Sequence, residues 1–282
     1  MRRDPVQRQD PARAGGTRTP MRIRAKDLQV KAGRTKLLQE VSLAFDPGEF
    51  VAILGPSGCG KSTLLRSLAG IQRRAAGEVS VGAVAVEALA PDVQSRIGFV
   101  PQDDIVHGQL TVERALLYSA RLRNIPEAEI PPRIEEVMKQ LELLERRSTR
   151  IDRLSGGQRK RVSIGVEMLI RPFLLFLDEP TAGLDPALEE SFMDLCRELA
   201  RSGKTVIMST HVMQSLDRID LIVIMLTGWL QWVGPPAAAN AYFGVQHLHQ
   251  IYKLLGGVKG PEGWQRYRSS AYFTQYVAAR LV

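Results

Sequence analysis

The sequence lacks any apolar run of the roughly 20 residues that a membrane-spanning helix needs. Its most apolar stretch, residues 219–233, is interrupted by Asp220 and Gln231 and is typical of one or two buried strands. No basic leader precedes an apolar segment, so we expect no secretory signal. The only cysteines are Cys59 and Cys196, which excludes a disulfide framework and a cysteine-based metal motif. These absences favour a protein of the reducing cytosol.

The chain also lacks a basic body. Its 282 residues are 44% hydrophobic, enough for a large core in one or two domains. The net charge of +8 is concentrated at the ends, with +3 on residues 1–20 and +4 on residues 245–282. A nucleic-acid-binding domain more often carries a basic face on its body, so we expect no nucleic-acid partner. Basic ends fit solvated tails or segments near an anionic membrane surface.

Strands and helices alternate after residues 1–20, which are almost free of apolar side chains and are predicted to form a disordered basic linker. Residues 23–30 predict a strand with a break, and the alternating residues 41–45 predict a half-buried strand. Phe50–Leu54 is continuously apolar, as a strand buried on both faces is. Further strands are predicted at 78–86, 97–100, 173–177, 205–209, 221–225 and 229–233, and helices at 61–69, 111–123, 134–144, 155–170 and 186–200. Three helices within 111–170 indicate an α/β core with a helical insertion.

The segment Gly55-Pro-Ser-Gly-Cys-Gly-Lys61-Ser62 matches the phosphate-loop pattern G-x-x-x-x-G-K-[ST], between a buried strand and a helix. Its glycines let backbone N–H groups surround phosphate oxygens, and the helix N-terminus adds partial positive charge. Lys61 is expected to reach the β- and γ-phosphates, and Ser62 to bind Mg²⁺. The predicted nucleotide contacts of this loop are Gly55, Pro56, Ser57, Gly58, Cys59, Gly60, Lys61, Ser62 and Thr63. Cys59 has two interpretations, a redox switch or a small packing residue, and we favour the second.

A second chemical feature is the pair Asp178-Glu179 at the end of an apolar strand. A buried strand that ends in Asp is how Mg²⁺ is held opposite a phosphate loop, which assigns the metal to Asp178. Glu179 is free to orient or deprotonate a water molecule. The alternative is a pair of solvated charges, and the phosphate loop in the same chain argues against it.

A third feature is Leu154-Ser-Gly-Gly-Gln158, which opens a predicted helix and offers another anion-binding terminus. The predicted contacts here are Ser155, Gly156, Gly157 and Gln158. Because the chain has one phosphate loop, a second anion site indicates that two subunits share each nucleotide.

Together these features resemble the ATP-binding domains of ABC transporters over residues 21–244. The matching motifs, in order, are the phosphate loop, Gln102, Leu154–Gln158, Asp178-Glu179, Gly183-Leu184-Asp185 and His211. Residues 100–104 and 156–164 look like the G-type half-transporters of the white and sterol-exporter group. The resemblance implies a P-loop NTPase (RecA-like) α/β core, an antiparallel β subdomain and an inserted α-helical subdomain at about 103–170. Residues 245–282 resemble the helical connector toward a membrane domain that this chain does not contain.

The resemblance also implies roles for single residues. Gln102 would sense the γ-phosphate and Mg²⁺ and link the core to the helical subdomain. Ser155 and Gly157 would bind the γ-phosphate of the ATP that the other copy holds, and Asp185 would couple the two sites.

His211 would contact the γ-phosphate and position Glu179 and water; taken alone, it would be an ordinary histidine at a strand end. One departure concerns Ala32, which stands where many such domains stack adenine on an aromatic ring. Base stacking is worth about 1–3 kcal/mol, so we expect weak discrimination between ATP and GTP.

The expected function is ATP hydrolysis by two ATP-binding domains, identical or closely homologous, closed around two ATP–Mg²⁺. It would drive transport, by resemblance export, through a fused or separate membrane domain, at the cytoplasmic face of the cell membrane. A DNA-repair ABC ATPase would need coiled-coil arms, for which the segment between Gly60 and Leu154 is too short. A translation-type ATPase would carry two cassettes, and a regulatory module would have lost Glu179 or His211. The cargo is chosen by the membrane domain and cannot be read here.

Overall fold

The computed structural model describes residues 21–211 and 216–282, and the linker predicted at 1–20 lies outside them. The described residues form one ten-stranded sheet. Its strands are β1 (Ile23–Ala32), β2 (Thr35–Phe45), β3 (Phe50–Leu54), β4 (Ala76–Val81), β5 (Val84–Ala85), β6 (Ile97–Val100), β7 (Leu174–Leu177), β8 (Thr205–Thr210), β9 (Leu221–Leu226) and β10 (Trp229–Gly234). The helices are α1 (Lys61–Leu68), α2 (Pro91–Gln94), α3 (Val112–Leu122), α4 (Ile130–Gln140), α5 (Gly156–Met168), α6 (Pro186–Arg201), α7 (Pro236–Phe243), α8 (His249–Leu255), α9 (Gly260–Arg268) and α10 (Ala271–Tyr276).

The sheet has a parallel part and an antiparallel part, in the order β5-β4-β1-β2-β10-β9-β3-β8-β7-β6. Strands β9, β3, β8, β7 and β6 run parallel to one another. Strands β5, β4, β1 and β2 pair antiparallel. Strand β10 joins the two parts, antiparallel to β9 and bridged to β2 by Trp229 opposite Gln39. This mixed sheet confirms the predicted α/β class and the antiparallel β portion.

The parallel part determines where the functional loops meet. All five residues of Phe50–Leu54 are inaccessible to solvent, which confirms a strand buried on both faces. Because β3, β8, β7 and β6 are parallel neighbours, their carboxyl ends lie at one edge of the sheet. Ligand sites of open α/β sheets form at this edge.

The prediction that residues 41–45 form a half-buried strand is wrong. All five residues are buried, including Ser42 and Ala44 on the face that was expected to be exposed to solvent. The turn Ala278–Arg280, far away in sequence, contacts β2. The Arg280 guanidinium donates to both carboxylate oxygens of Glu49, at 2.8 and 3.0 Å, and fixes this turn beside the strand.

The prediction of a single strand at 78–86 is also wrong, because the segment forms two strands. Gly82 adopts φ +62° between β4 and β5, and the chain turns back there. The predicted break in the first strand is confirmed: the register of β1 against β2 shifts between Ala25 and Leu28. Asp27 between them has φ +50°.

Helices α3, α4 and α5 contact one another. The interface is tight around Gly165, where a Cβ atom would lie 3.2 Å from side-chain carbons of both Leu116 and Leu141. These helices fall within the predicted helical subdomain, although its bounds at about 103–170 stay a prediction.

Residues 245–282 cover β10 with helical structure. The buried Trp232 ring lies 5.5 Å from that of Tyr267 and 5.3 Å from that of Tyr272, measured between centroids. The Tyr267 hydroxyl donates to the carbonyl of Val233 at 2.8 Å, which ties α9 to the strand. That this segment leads to a membrane domain stays a prediction. None of the helices described here combines the length and the apolar character needed to span a bilayer.

Candidate nucleotide-binding site

The predicted phosphate loop connects β3 to α1 and turns sharply at its glycines. Gly58 and Gly60 have φ +75° and +108°, and Gly60 precedes the first residue of α1. At Gly55 a Cβ atom would lie 2.5 Å from the Cys59 sulfur and 2.6 Å from the Met225 carbonyl oxygen. The loop is therefore folded closely on itself, with residues 56–58 exposed at the end of the helix. The N-terminus of α1, beside this exposed part of the loop, suits a phosphate group.

Lys61 begins α1 and its side chain points back over the loop. Its side chain is 4% exposed. The ammonium group donates to the carbonyl oxygens of Gly55 at 3.0 Å and Pro56 at 3.3 Å. It also lies 3.4 Å from Oε1 of Glu179. A buried cation between the phosphate loop and a carboxylate at the end of β7 is suited to hold an anionic group there.

Asp178 follows β7 and is 1% exposed. Its Oδ1 accepts hydrogen bonds from the hydroxyls of Ser62 at 2.8 Å and Ser209 at 2.7 Å. Its Oδ2 is buried and accepts no hydrogen bond from the described residues, although the Arg66 guanidinium lies 3.7 Å away. A buried carboxylate oxygen with spare capacity beside a serine hydroxyl fits a divalent cation that prefers oxygen ligands.

No group of three or more His, Cys, Asp or Glu within residues 21–211 and 216–282 could hold a metal ion. Mg²⁺ does not require three such protein ligands, because it is usually held by one or two carboxylates together with substrate phosphates and water. Ser62 and Asp178 therefore fit the predicted ion, with Gln102 considered below.

Glu179 has a strained backbone beside the phosphate loop. Its φ of +45° is rare for a residue with a side chain, and such strain is found at functional sites. The Glu179 N–H donates to the Ser209 hydroxyl at 2.9 Å, so Ser209 holds both members of the acidic pair. Oε2 of Glu179 lies 3.8 Å from Nδ1 of His211, whose side chain is 57% exposed. The structure thus brings Lys61, Glu179 and His211 together.

Gln102 lies on the exposed segment that follows β6. Its carbonyl oxygen accepts from the Lys160 ammonium of α5 at 2.8 Å, and Lys160 also lies 3.5 Å from Asp104. This segment is therefore joined to α5 through its main chain. In the part of the chain that the structure describes, the Gln102 side chain makes no hydrogen bond to Ser62 or Asp178. Its role at the metal and in catalysis stays a prediction.

Ser155 and Gln158 form a reciprocal cap at the start of α5. The Ser155 hydroxyl accepts from the Gln158 N–H at 3.3 Å, and the Gln158 side-chain oxygen accepts from the Ser155 N–H at 3.1 Å. Asp185 caps α6 with a single bond, accepting from the Leu188 N–H at 3.0 Å. Ser155 and Asp185 are exposed. No hydrogen bond or ion pair between described residues joins this cap to the chain's own residues 55–62.

Cys59 is buried, and its burial raises the pKa of the thiol. A neutral, enclosed thiol supports the packing interpretation over the redox switch.

Two polar contacts at the site were not predicted from the sequence. Ser209 lies two residues before His211, and its place opposite Asp178 depends on β7 and β8 being neighbours. Tyr252 lies on α8, and its hydroxyl accepts the Gly55 N–H at 2.9 Å. Burial raises the pKa of Tyr252 to about 12. Nothing in the local sequence marks Tyr252, because the two residues are 197 positions apart.

A family model described as ABC transporter matches residues 38–182. The ABC transporter ATP-binding/permease protein Rv1747 of Mycobacterium tuberculosis is 43% identical over 227 residues, which are 79% of this chain and 26% of that protein. ABC transporter G family member 28 of Arabidopsis thaliana is 38% identical over 242 residues, 80% of this chain and 22% of that protein. A solved structure of the ATP-binding subunit of an ABC transporter is similar with a TM-score of 0.71 at 26% identity, covering 83% of this chain and 99% of that one. The chain thus spans about a quarter of the length of these two curated relatives.

Proposed function

The chain belongs to the ATP-binding domains of ABC transporters, of the G type, whose activity is ATP hydrolysis, and we propose that two copies share two ATP molecules to drive transport. The family confirms the predicted P-loop NTPase fold, ATP as the nucleotide and the ATPase class. The sharing of sites, the roles of single residues, Mg²⁺, the membrane partner and the location belong to the proposal.

The observation that carries the shared site is the exposed cap of α5. Ser155 lies at a helix N-terminus that suits a phosphate. Among the described residues, no hydrogen bond joins Ser155 to the chain's own phosphate loop. A second copy placed face to face supplies a phosphate loop with its bound ATP. The γ-phosphate of that ATP is then contacted by Ser155, Gly156, Gly157 and Gln158. Asp185 lies beside this cap: a Cβ atom added at Gly156 would lie 3.6 Å from a side-chain carbon of the neighbouring Leu184. We infer that Asp185 responds to closure of the two copies.

The chemistry follows from the side chains at the edge of the sheet. Lys61 exchanges its contacts with the Gly55 and Pro56 carbonyls for the β- and γ-phosphate oxygens. Ser62 and Asp178 would hold Mg²⁺, which when bound would neutralise charge that develops on the phosphates. Glu179 takes a proton from the attacking water, and His211, 3.8 Å away, orients Glu179 and the water. Gln102 reports the state of the γ-phosphate to α5 through its segment's bond to Lys160.

The names of the relatives support a membrane partner. One is called an ATP-binding/permease protein and another a G family ABC transporter, and both are about four times longer than their match to this chain. We infer that the domain works at the cytoplasmic face of a cell membrane, that residues 245–282 connect it to a membrane domain, fused or separate, and that transport is export.

The variant Glu179→Gln tests this function. The amide keeps the size of the side chain but cannot accept the proton, so the rate should fall by about 10²–10⁴. Lys61, Ser62 and Asp178 are unchanged, so ATP still binds. With ATP and Mg²⁺, light scattering should show a stable dimer with two trapped nucleotides, while the wild type returns to monomer after turnover.

Glu78→Gln on the exposed part of β4 is the matched control and should behave as the wild type. A Glu179→Gln chain that hydrolyses ATP at nearly the wild-type rate would refute the assignment of the base. A slow variant that stays monomeric with ATP would refute the shared site.

A further inference from the structure

We propose that Tyr252 is a positioning residue for the phosphate loop, through which the C-terminal helices set the affinity for ATP. The proposal rests on the nucleotide site proposed above. It concerns a residue outside the motifs, on a segment that the chemistry of hydrolysis does not use.

The direct contact joins the hydroxyl of Tyr252 to the first residue of the loop. Gly55 N–H donates to this hydroxyl at 2.9 Å. Gly55 is buried, so water would not replace the Tyr252 hydroxyl as the partner of the Gly55 N–H if the hydroxyl were removed. The bond therefore fixes the direction in which the chain leaves β3 and enters the loop.

The helix that carries Tyr252 is itself firmly placed. Ile251 and Leu255 of α8 are 0% and 4% exposed, on either side of Tyr252 in sequence. The hydroxyl is therefore held by a packed helix and does not lie at the end of a free side chain.

A second, indirect contact reaches the same loop from the same C-terminal segment. The Gly228 N–H, in the turn between β9 and β10, donates to the Cys59 carbonyl at 2.9 Å. Gly260, the first residue of α9, packs on this turn so closely that a Cβ would lie 2.5 Å from the Thr227 hydroxyl. Helices α8 and α9 thus support the loop near Gly55 and near Cys59.

These contacts act on binding and not on the chemical step. Tyr252 bonds to the Gly55 N–H, and no hydrogen bond or ion pair among the described residues joins it to Lys61, Glu179 or His211, although Lys61 contacts the carbonyl of the same Gly55. A loop that is held in its binding conformation loses less entropy when it takes up a nucleotide. Removing the hydroxyl should therefore weaken ATP binding and leave turnover at saturation unchanged.

The test compares Tyr252→Phe with Tyr267→Phe in the 282-residue chain. Both substitutions remove one hydroxyl of the C-terminal segment that bonds to the main chain, but Tyr267 bonds to Val233 and not to the loop. For Tyr252→Phe we expect KM and the Kd of a fluorescent ATP with Mg²⁺ to rise about two- to tenfold, the range of one net hydrogen bond. The kcat should stay within about twofold, and amide hydrogen exchange at Gly55 should become faster. Tyr267→Phe should lower Tm by a few degrees and leave KM unchanged.

Equal KM values for both variants, or a Tyr252→Phe chain that differs from the wild type only in Tm, would overturn the proposal and leave the nucleotide site in place. A wild-type chain that binds no fluorescent ATP would overturn the nucleotide site itself, and this proposal with it.

Discussion

Replacing Ser209 by alanine should uncouple the acidic pair from the sheet. The hydroxyl is fully buried, donates to Asp178 at 2.7 Å and accepts from the Glu179 N–H at 2.9 Å. A hydrogen bond to a charged group contributes about 1.5–3 kcal/mol, and an N–H left buried without a partner costs about 1–3 kcal/mol. We therefore expect Ser209→Ala to lower the free energy of unfolding by about 2–4 kcal/mol.

The activity should fall further than the stability alone explains. Asp178 keeps its bond from Ser62, but Glu179 loses the contact that fixes its strained backbone. Misplacing a reacting group by about 1 Å can cost on the order of a hundredfold in rate. We expect kcat to fall by about ten- to a hundredfold, measured as phosphate release at saturating ATP and Mg²⁺ under conditions where urea titration shows the variant folded.

Ser42→Ala is the matched control. Ser42 is buried and repeats the arrangement on β2, donating to Asp27 at 3.1 Å and accepting the Asp27 N–H at 2.9 Å. Asp27 is exposed, so water can replace these bonds and the cost in stability should be about 0.5–1.5 kcal/mol. The rate should not change, since Asp27 lies in the antiparallel part of the sheet. If Ser209→Ala and Ser42→Ala had the same kcat, the argument that Ser209 positions the acidic pair would be refuted.

Two further predictions concern the base and the thiol. Ala32 offers no ring to adenine, so GTP should compete with ATP to within about tenfold, or 1.4 kcal/mol; a hundredfold preference for ATP would mean that another residue contacts the base. Because burial raises the pKa of Cys59 and also that of Cys196, both thiols stay protonated at pH 8, where a free cysteine begins to ionise. The folded chain should therefore react slowly with a disulfide reagent at that pH, while the chain in guanidinium should titrate two thiols; one fast thiol in the folded chain would contradict the buried position of Cys59 or of Cys196.

The site elements that lie within a few residues of one another could be predicted from the sequence. The phosphate loop follows a strand of five consecutive apolar residues, and Asp178 follows a strand of four, so each motif carries its own local context. Their meeting at one edge required the additional assumption of a parallel sheet, which the pairing of β3, β8, β7 and β6 bears out.

Contacts between distant segments could not be predicted. The alternation in residues 41–45 is a local signal, and it contains no information about segments distant in sequence that contact β2, such as the turn Ala278–Arg280. Tyr252 and Ser209 were missed for the same reason, since their importance comes from main-chain groups that approach them only in the folded chain. Sequence periodicity records burial along one element and contains no information about what another element places against it.

The position of β10 has a consequence for synthesis of the chain on the ribosome. Gln39 of β2 pairs with Trp229 of β10, so the edge of β2 remains open until β10 has been made. β3 likewise lacks both of its neighbours until β8 and β9 have been made. Pairing between segments so far apart slows folding and leaves strand edges available to other molecules in the meantime. A nascent or truncated chain that stops before Trp229 should therefore be prone to aggregation, and its demand for chaperones should fall once β10 is in place.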